Sequence, residues 1–115
     1  MEGNIADLKS LVGFAQKNQT FIILDDAHAL GVISIRGSIE FHELTNDDIP
    51  VLINPLGKAI GIMGAFVSGS RDYMEYLVQK ARSYKYTTSL SPPIACAIAK
   101  SIRIIQQEKW RQEKL

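Results

Sequence analysis

Apolar residues along this chain come in two patterns, spaced and continuous, and the alternation between them predicts its layout. From Asp7 to Lys17 they stand at Leu8, Leu11, Val12 and Ala15, the spacing of one helix face. Phe14 lies off that stripe, and Asn18 is a suitable stop. Phe21-Ile22-Ile23-Leu24 is an unbroken, isoleucine-rich run, as expected of a strand covered on both faces. Gly31 and Gly37 mark a loop with a short extended piece over 32–39, residues 40–44 fit one helical turn, and Thr45-Asn46-Asp47-Asp48 reads as loop. Val51-Leu52-Ile53 predicts a second buried strand. Ala65-Phe66-Val67 predicts a third, set among Gly57, Gly61, Gly64 and Gly69.

Ser70 is placed to cap a helix, with Asp72 in the first turn where the helix dipole favours it. That helix is expected to reach about Ser83 and to bury Tyr73, Leu77 and Ala81, and the short stretch 84–88 is β-prone. Ser91-Pro92-Pro93 opens a long last helix with a stripe of Ile94, Ala97, Ile98, Ile102 and Ile105. Past Gln106 it turns polar, and Trp110 is its only large apolar group there. The order of elements predicts an α/β unit with a mostly parallel sheet flanked by helices. Three short strands are few for runs that normally sit inside a larger sheet. The pattern therefore also predicts a fragment, or a chain that completes its core by dimerising.

Composition adds mainly exclusions. With 46% hydrophobic and 22% charged residues the chain is not of disordered type, and a net charge of +1 favours neither nucleic acid nor a membrane surface. The one cysteine, Cys96, rules out an internal disulfide and fits a cytoplasmic protein; Ile94, Ala95, Ala97 and Ile98 around it suggest a small core residue. No apolar run approaches the roughly 18 residues of a membrane span.

Several familiar chemistries fail on the residues. Gly57-Lys58 is followed by Ala59 where a P-loop needs Ser or Thr, and Gly57, Gly61 and Gly64 lack dinucleotide-binding spacing. Phe66 breaks a nucleophile elbow around Ser68. His28 and His42, with no cysteine pair, make no zinc site, so no metal is expected; His42 reads as a surface residue beside Phe41.

Two segments remain: Asp25-Asp26-Ala27-His28, which closes the first buried run, and Leu56-Gly57-Lys58-Ala59, which follows the second. Taken singly each is ordinary, since an acid after a strand commonly binds backbone and a lysine among glycines is commonly a solvated turn residue. Together they bring an acid, an imidazole and an amine to one edge of a parallel sheet, where open α/β sheets bind ligands. Such a set suits pyridoxal phosphate. Asp25 can keep the pyridine nitrogen protonated, His28 can hydrogen-bond the ring hydroxyl, and Lys58 can form the Schiff base. For that, the amine must be partly neutral near pH 7, which burial or nearby cationic character achieves.

These motifs resemble the α-oxoamine synthases, fold-type-I pyridoxal-phosphate acyltransferases. The resemblance continues through Gly64-Ala65-Phe66-Val67-Ser68-Gly69-Ser70 and Tyr86-Thr87-Thr88-Ser89-Leu90-Ser91-Pro92-Pro93, and Met1-Glu2-Gly3-Asn4-Ile5-Ala6 matches an internal family segment. It implies part of the large cofactor-binding domain and a decarboxylative condensation of an amino acid with an acyl-CoA. In that scheme Lys58 holds the cofactor and later removes the α-proton, Asp25 stabilises the ring nitrogen and His28 contacts the ring oxygen. Thr87 and Thr88 match the segment that reaches the cofactor phosphate of the partner subunit, so the resemblance implies a homodimer. Pro55-Leu56-Gly57-Lys58-Ala59 and Met63-Gly64-Ala65 are most similar to members that join L-alanine to a pimeloyl thioester in biotin synthesis. Other readings are a glycine C-acetyltransferase-like member, another fold-type-I aminotransferase or lyase, or a truncated, non-catalytic piece.

Two departures stand out. Many members carry a threonine three residues before the lysine, touching the cofactor; here that position is Pro55, and Asn54 is a substitute by one-residue displacement. Family chains are also roughly three times as long, beyond a single domain. The resemblance thus implies that the ring-stacking histidine, much of the phosphate loop and the C-terminal small domain lie outside this chain.

Overall fold

Helix α1 (Leu8–Lys17) starts where Asp7 can cap it: its carboxylate accepts the backbone N–H of Ser10 at 3.1 Å and the Ser10 hydroxyl at 2.6 Å. Asn18 ends the helix as expected, its side-chain amide donating to the Phe14 carbonyl at 2.8 Å. Leu8, Val12 and Ala15 are buried, but Leu11 is half exposed, so the packing stripe is narrower than the spacing predicts. The structure, a computed structural model, describes residues 2–115. Met1, which begins the segment 1–6 matched above, lies outside the described residues.

The sheet has the order β1 (Ile23–Asp25), β2 (Val51–Pro55), β3 (Ala65–Gly69). Strand β1 pairs with β2 in parallel, Ile23 opposite Val51 and Asp25 opposite Ile53. Strand β3 runs antiparallel to β2, Pro55 opposite Ala65 and Val51 opposite Gly69. The sheet is therefore mixed rather than mostly parallel. The segment 56–64 has no crossover helix and simply reverses the chain, which enforces an antiparallel partner.

Side chains alternate across the sheet, and the two faces differ. On one, Leu24 and Leu52 pack with Ile22 and Leu44 against Val12 of α1, Ile39 of α2 (Ser38–Phe41) and Ile49. On the other, Val51 is buried while Phe21, Ile23 and Val67 remain exposed, and the Tyr73 ring lies 5.6 Å from that of Phe21. Ile23 is more than half exposed although it borders a cleft with Tyr73, Tyr76 and Leu77, so the first apolar run is only partly covered on this face.

Downstream, helix α3 (Arg71–Lys80) begins after Ser70, though the Ser70 hydroxyl makes no capping bond. It stops at Ala81, whose backbone turns extended (φ −70°, ψ 106°), and the chain restarts as α4 (Arg82–Lys85). The single helix expected to Ser83 is therefore two, and the stretch 84–88 is partly helical and otherwise irregular, not β. Tyr73 is exposed; Met74 and Leu77 make the half-buried contacts. Helix α5 (Pro92–Gln107) has prolines in its first turn and half-buries Ile94, Ile98, Ile102 and Ile105, leaving Ala97 and Cys96 exposed. Cys96 is not a core residue, because it lies off the stripe. A last turn, α6 (Trp110–Glu113), follows a break at Glu108. Among the described residues no helix is long and apolar enough to cross a membrane.

Candidate active site

Because β1 and β2 run in parallel, their carboxyl ends lie at one edge, and this brings the predicted residues together. Asp25 is the last residue of β1, opposite Ile53, and Lys58 follows three residues after the end of β2. Strand β3 returns to the same edge, since Ala65 pairs with Pro55. His28 sits in the turn leaving β1, where Ala29 and Leu30 donate their backbone N–H groups to the Asp26 carbonyl.

All three side chains are exposed. One Asp25 carboxylate oxygen accepts the Ala27 N–H at 3.1 Å, which fixes the group across the strand end; the other makes no hydrogen bond among the described residues. Lys58 and His28 likewise have no ion pair or side-chain hydrogen bond among the described residues. The burial that the Lys58 amine was expected to find is not supplied by this chain.

The Lys58 turn is well built. Leu56 and Ile60 are buried on either side of exposed Gly57-Lys58-Ala59. The Leu56 N–H donates to the Gly64 carbonyl at 2.9 Å, Ile62 to Leu56 at 3.0 Å, and Gly61 to Lys58 at 2.9 Å. These bonds need glycine at position 61, with φ +73°.

Asp26, next to Asp25, has a structural role that no local pattern marks. It is 3% exposed, and its carboxylate accepts the Ser38 N–H at 2.9 Å, tying the loop that carries His28 to the start of α2. A capping acid twelve residues before its helix leaves no local signal. His42 is half-buried rather than on the surface, its ring edge-on to Phe41 at 5.1 Å.

Asn54 does not stand in for a residue at 55. Successive strand residues face opposite ways, so Pro55 shares the face of Ile53 and Asp25 while Asn54 points to the covered face. There its amide is 1% exposed, finds no partner among the described residues, and borders a cavity of about 350 Å³ beneath Ile102 and Ile105. Asp25, His28 and Lys58 do not line that cavity. Thr87 and Thr88 are exposed in the irregular segment before α5, with no side-chain hydrogen bond among the described residues. The structure does not join them to the other three. No cluster of metal-binding side chains occurs among the described residues.

The model of the family "Aminotransferase class I and II" matches residues 1–115. The 8-amino-7-oxononanoate synthase of Pseudomonas putida (strain W619) is 48% identical over 117 residues, covering 100% of this chain and 30% of that protein. Among solved structures, an 8-amino-7-oxononanoate synthase from Francisella tularensis superimposes with TM-score 0.84 at 32% identity, covering 96% of this chain and 33% of that one. A variant of serine palmitoyltransferase from S. paucimobilis with bound PLP-myriocin aldimine gives TM-score 0.87 at 28% identity, over 98% of this chain and 30% of that one. The chain spans about 30% of the length of the curated relatives it matches. Parallel strands that end in Asp25 and lead into Lys58, and a family match over the whole chain, establish that the chain belongs to the aminotransferase class I and II family.

Proposed function

We propose that the protein carrying this segment is a pyridoxal-phosphate-dependent acyltransferase of the α-oxoamine synthase type. It condenses an amino acid with an acyl thioester, releasing carbon dioxide and the free thiol. The observation that supports the reading is that Asp25 ends β1 and Lys58 follows β2 at the same carboxyl edge of the parallel β1/β2 pair. The finer assignment, L-alanine and a pimeloyl thioester, is supported by the 48% identity to an 8-amino-7-oxononanoate synthase.

The side chains fit the cofactor. Asp25 offers an uncommitted carboxylate oxygen for a protonated ring nitrogen, His28 an imidazole for the ring hydroxyl, and Lys58 an amine with no competing ion pair among the described residues. When bound, pyridoxal phosphate supplies an electron sink for a carbanion at the amino acid α-carbon. The Ala27 N–H holds the Asp25 carboxylate at the strand end, so its negative charge faces a fixed point. Lys58 Nζ would hold the cofactor and would serve as the base for the α-proton of the amino acid. In a homodimer, Thr87 and Thr88, whose hydroxyls make no hydrogen bond among the described residues, would hold the cofactor phosphate of the partner subunit. The chain spans about 30% of the length of these relatives, so the activity is proposed for the whole protein.

Borohydride reduction of the whole protein loaded with pyridoxal phosphate, followed by peptide mapping, tests the reading. A reduced adduct on Lys58 is expected; an adduct elsewhere, or none, overturns it. Thiol release from pimeloyl-CoA with alanine, compared with palmitoyl-CoA and serine, tests the substrates.

A further inference from the structure

The turn that carries Lys58 is held from a distant part of the chain. The Ser101 hydroxyl of α5 donates to the Ile60 carbonyl at 2.7 Å, across 41 residues of sequence. The Ile60 C=O and the Gly61 N–H are two ends of one planar peptide unit. That same Gly61 N–H donates to the Lys58 carbonyl at 2.9 Å. Ser101 therefore grips one end of a rigid plane whose other end holds the backbone of Lys58.

Without Ser101 this peptide plane is held at its Gly61 end alone. Gly61 has φ +73° and no side chain, so rotation about its flanking bonds meets little resistance. One turn along α5, Ile105 is packed against the second loop of the site: a Cβ on Gly31 would come within 2.9 Å of Ile105 Cδ1 and 3.4 Å of Ala59 Cβ. Helix α5 thus meets the Asp25–Gly31 loop through packing and the Lys58 turn through a hydrogen bond.

We propose that Ser101 is a positioning residue for Lys58, acting through the 60–61 peptide and fixing where the amine emerges at the sheet edge. Its catalytic meaning rests on the reading of Lys58 as the cofactor lysine; the backbone relay itself does not.

The test uses the whole protein as wild type, S101A and S101T, the last keeping a hydroxyl. In protein stripped of cofactor, amide hydrogen exchange of Gly61 is expected to rise about two- to tenfold in S101A, the worth of one hydrogen bond, with β2 amides unchanged and S101T close to wild type. In protein loaded with pyridoxal phosphate, the pH midpoint of the visible absorbance is expected to shift in S101A and return in S101T. Unchanged Gly61 exchange in S101A overturns the proposal. So does a rise spread equally over β2 and α5, which marks general loosening, or an absorbance midpoint that stays put. A wild type with no borohydride adduct on Lys58 defeats the cofactor reading instead, and the Gly61 exchange still decides the relay.

Discussion

Asp26 accepts the Ser38 N–H at 2.9 Å from a position that is 3% exposed, and this one bond shapes the loop that holds His28 at the sheet edge. Replacing Asp26 with Ala leaves a helix-start N–H without its acceptor. The expected loss is about 1–3 kcal/mol of stability, read by urea denaturation. D26N, which keeps an acceptor oxygen, is expected to lose less. Equal losses would show that packing, not the bond, matters at this position.

Gly37 lies against the same carboxylate. Its backbone (φ 73°, ψ −148°) is a glycine conformation, and a Cβ there would collide with the Asp26 carboxylate oxygen. G37A is expected to cost about 1–3 kcal/mol from backbone strain alone, and more from the collision. Part of that excess is expected to vanish in a D26A background. A double-mutant cycle measures the coupling, and strictly additive losses would contradict the contact.

Three carboxylates report on acid stability. Hydrogen bonds from the Ser10 hydroxyl and N–H hold Asp7 below its ordinary value of 3.8. The Thr45 N–H and hydroxyl do the same for Asp48, and the Arg36 N–H chiefly does so for Glu40, ordinarily 4.5. A folded-state value below the unfolded one means stabilisation that is complete above the unfolded value and lost as pH falls through the folded one. Stability is therefore expected to decline below about pH 4. D48N is expected to flatten that decline by lowering stability near pH 7 toward its acid value, because the neutral amide lacks the charged acceptor that the Thr45 donors favour. Denaturation midpoints across pH 2–6 check it.

Pro55 and Asn54 separate by face. Pro55 shares the face of Asp25, so P55T is expected to tighten retention of pyridoxal phosphate. N54T, pointing to the covered face, is expected to leave retention unchanged. Cofactor loss on gel filtration reads both, and a gain from N54T would contradict the register.

Asp25 is expected to matter through a charged hydrogen bond worth about 1.5–3 kcal/mol, so D25A is expected to weaken cofactor retention about 10- to 150-fold. Equilibrium dialysis checks this directly.

The placement of the candidate site residues was legible because its signals are local. Asp25, His28 and Lys58 stand at or after the ends of apolar runs that contribute to β1 and β2, and Asn18 ends α1 as its spacing predicts. The motifs also pointed to the family that the match over residues 1–115 establishes. Asp26 and Ser101 were not legible, because their partners lie 12 and 41 residues away.

By itself, then, the sequence determined the three strands and the helices α1, α3 and α5, their order, and the chemical groups at the strand ends. A helix stripe or an apolar strand is written in neighbouring residues, which share a face by their own geometry. Only the tertiary structure decided the direction of β3, the partial cover over Ile23, the opposite facing of Asn54 and Pro55, and the grip of Ser101 on the Lys58 turn. Pairing, burial and long-range hydrogen bonds each depend on a partner that the local pattern does not name.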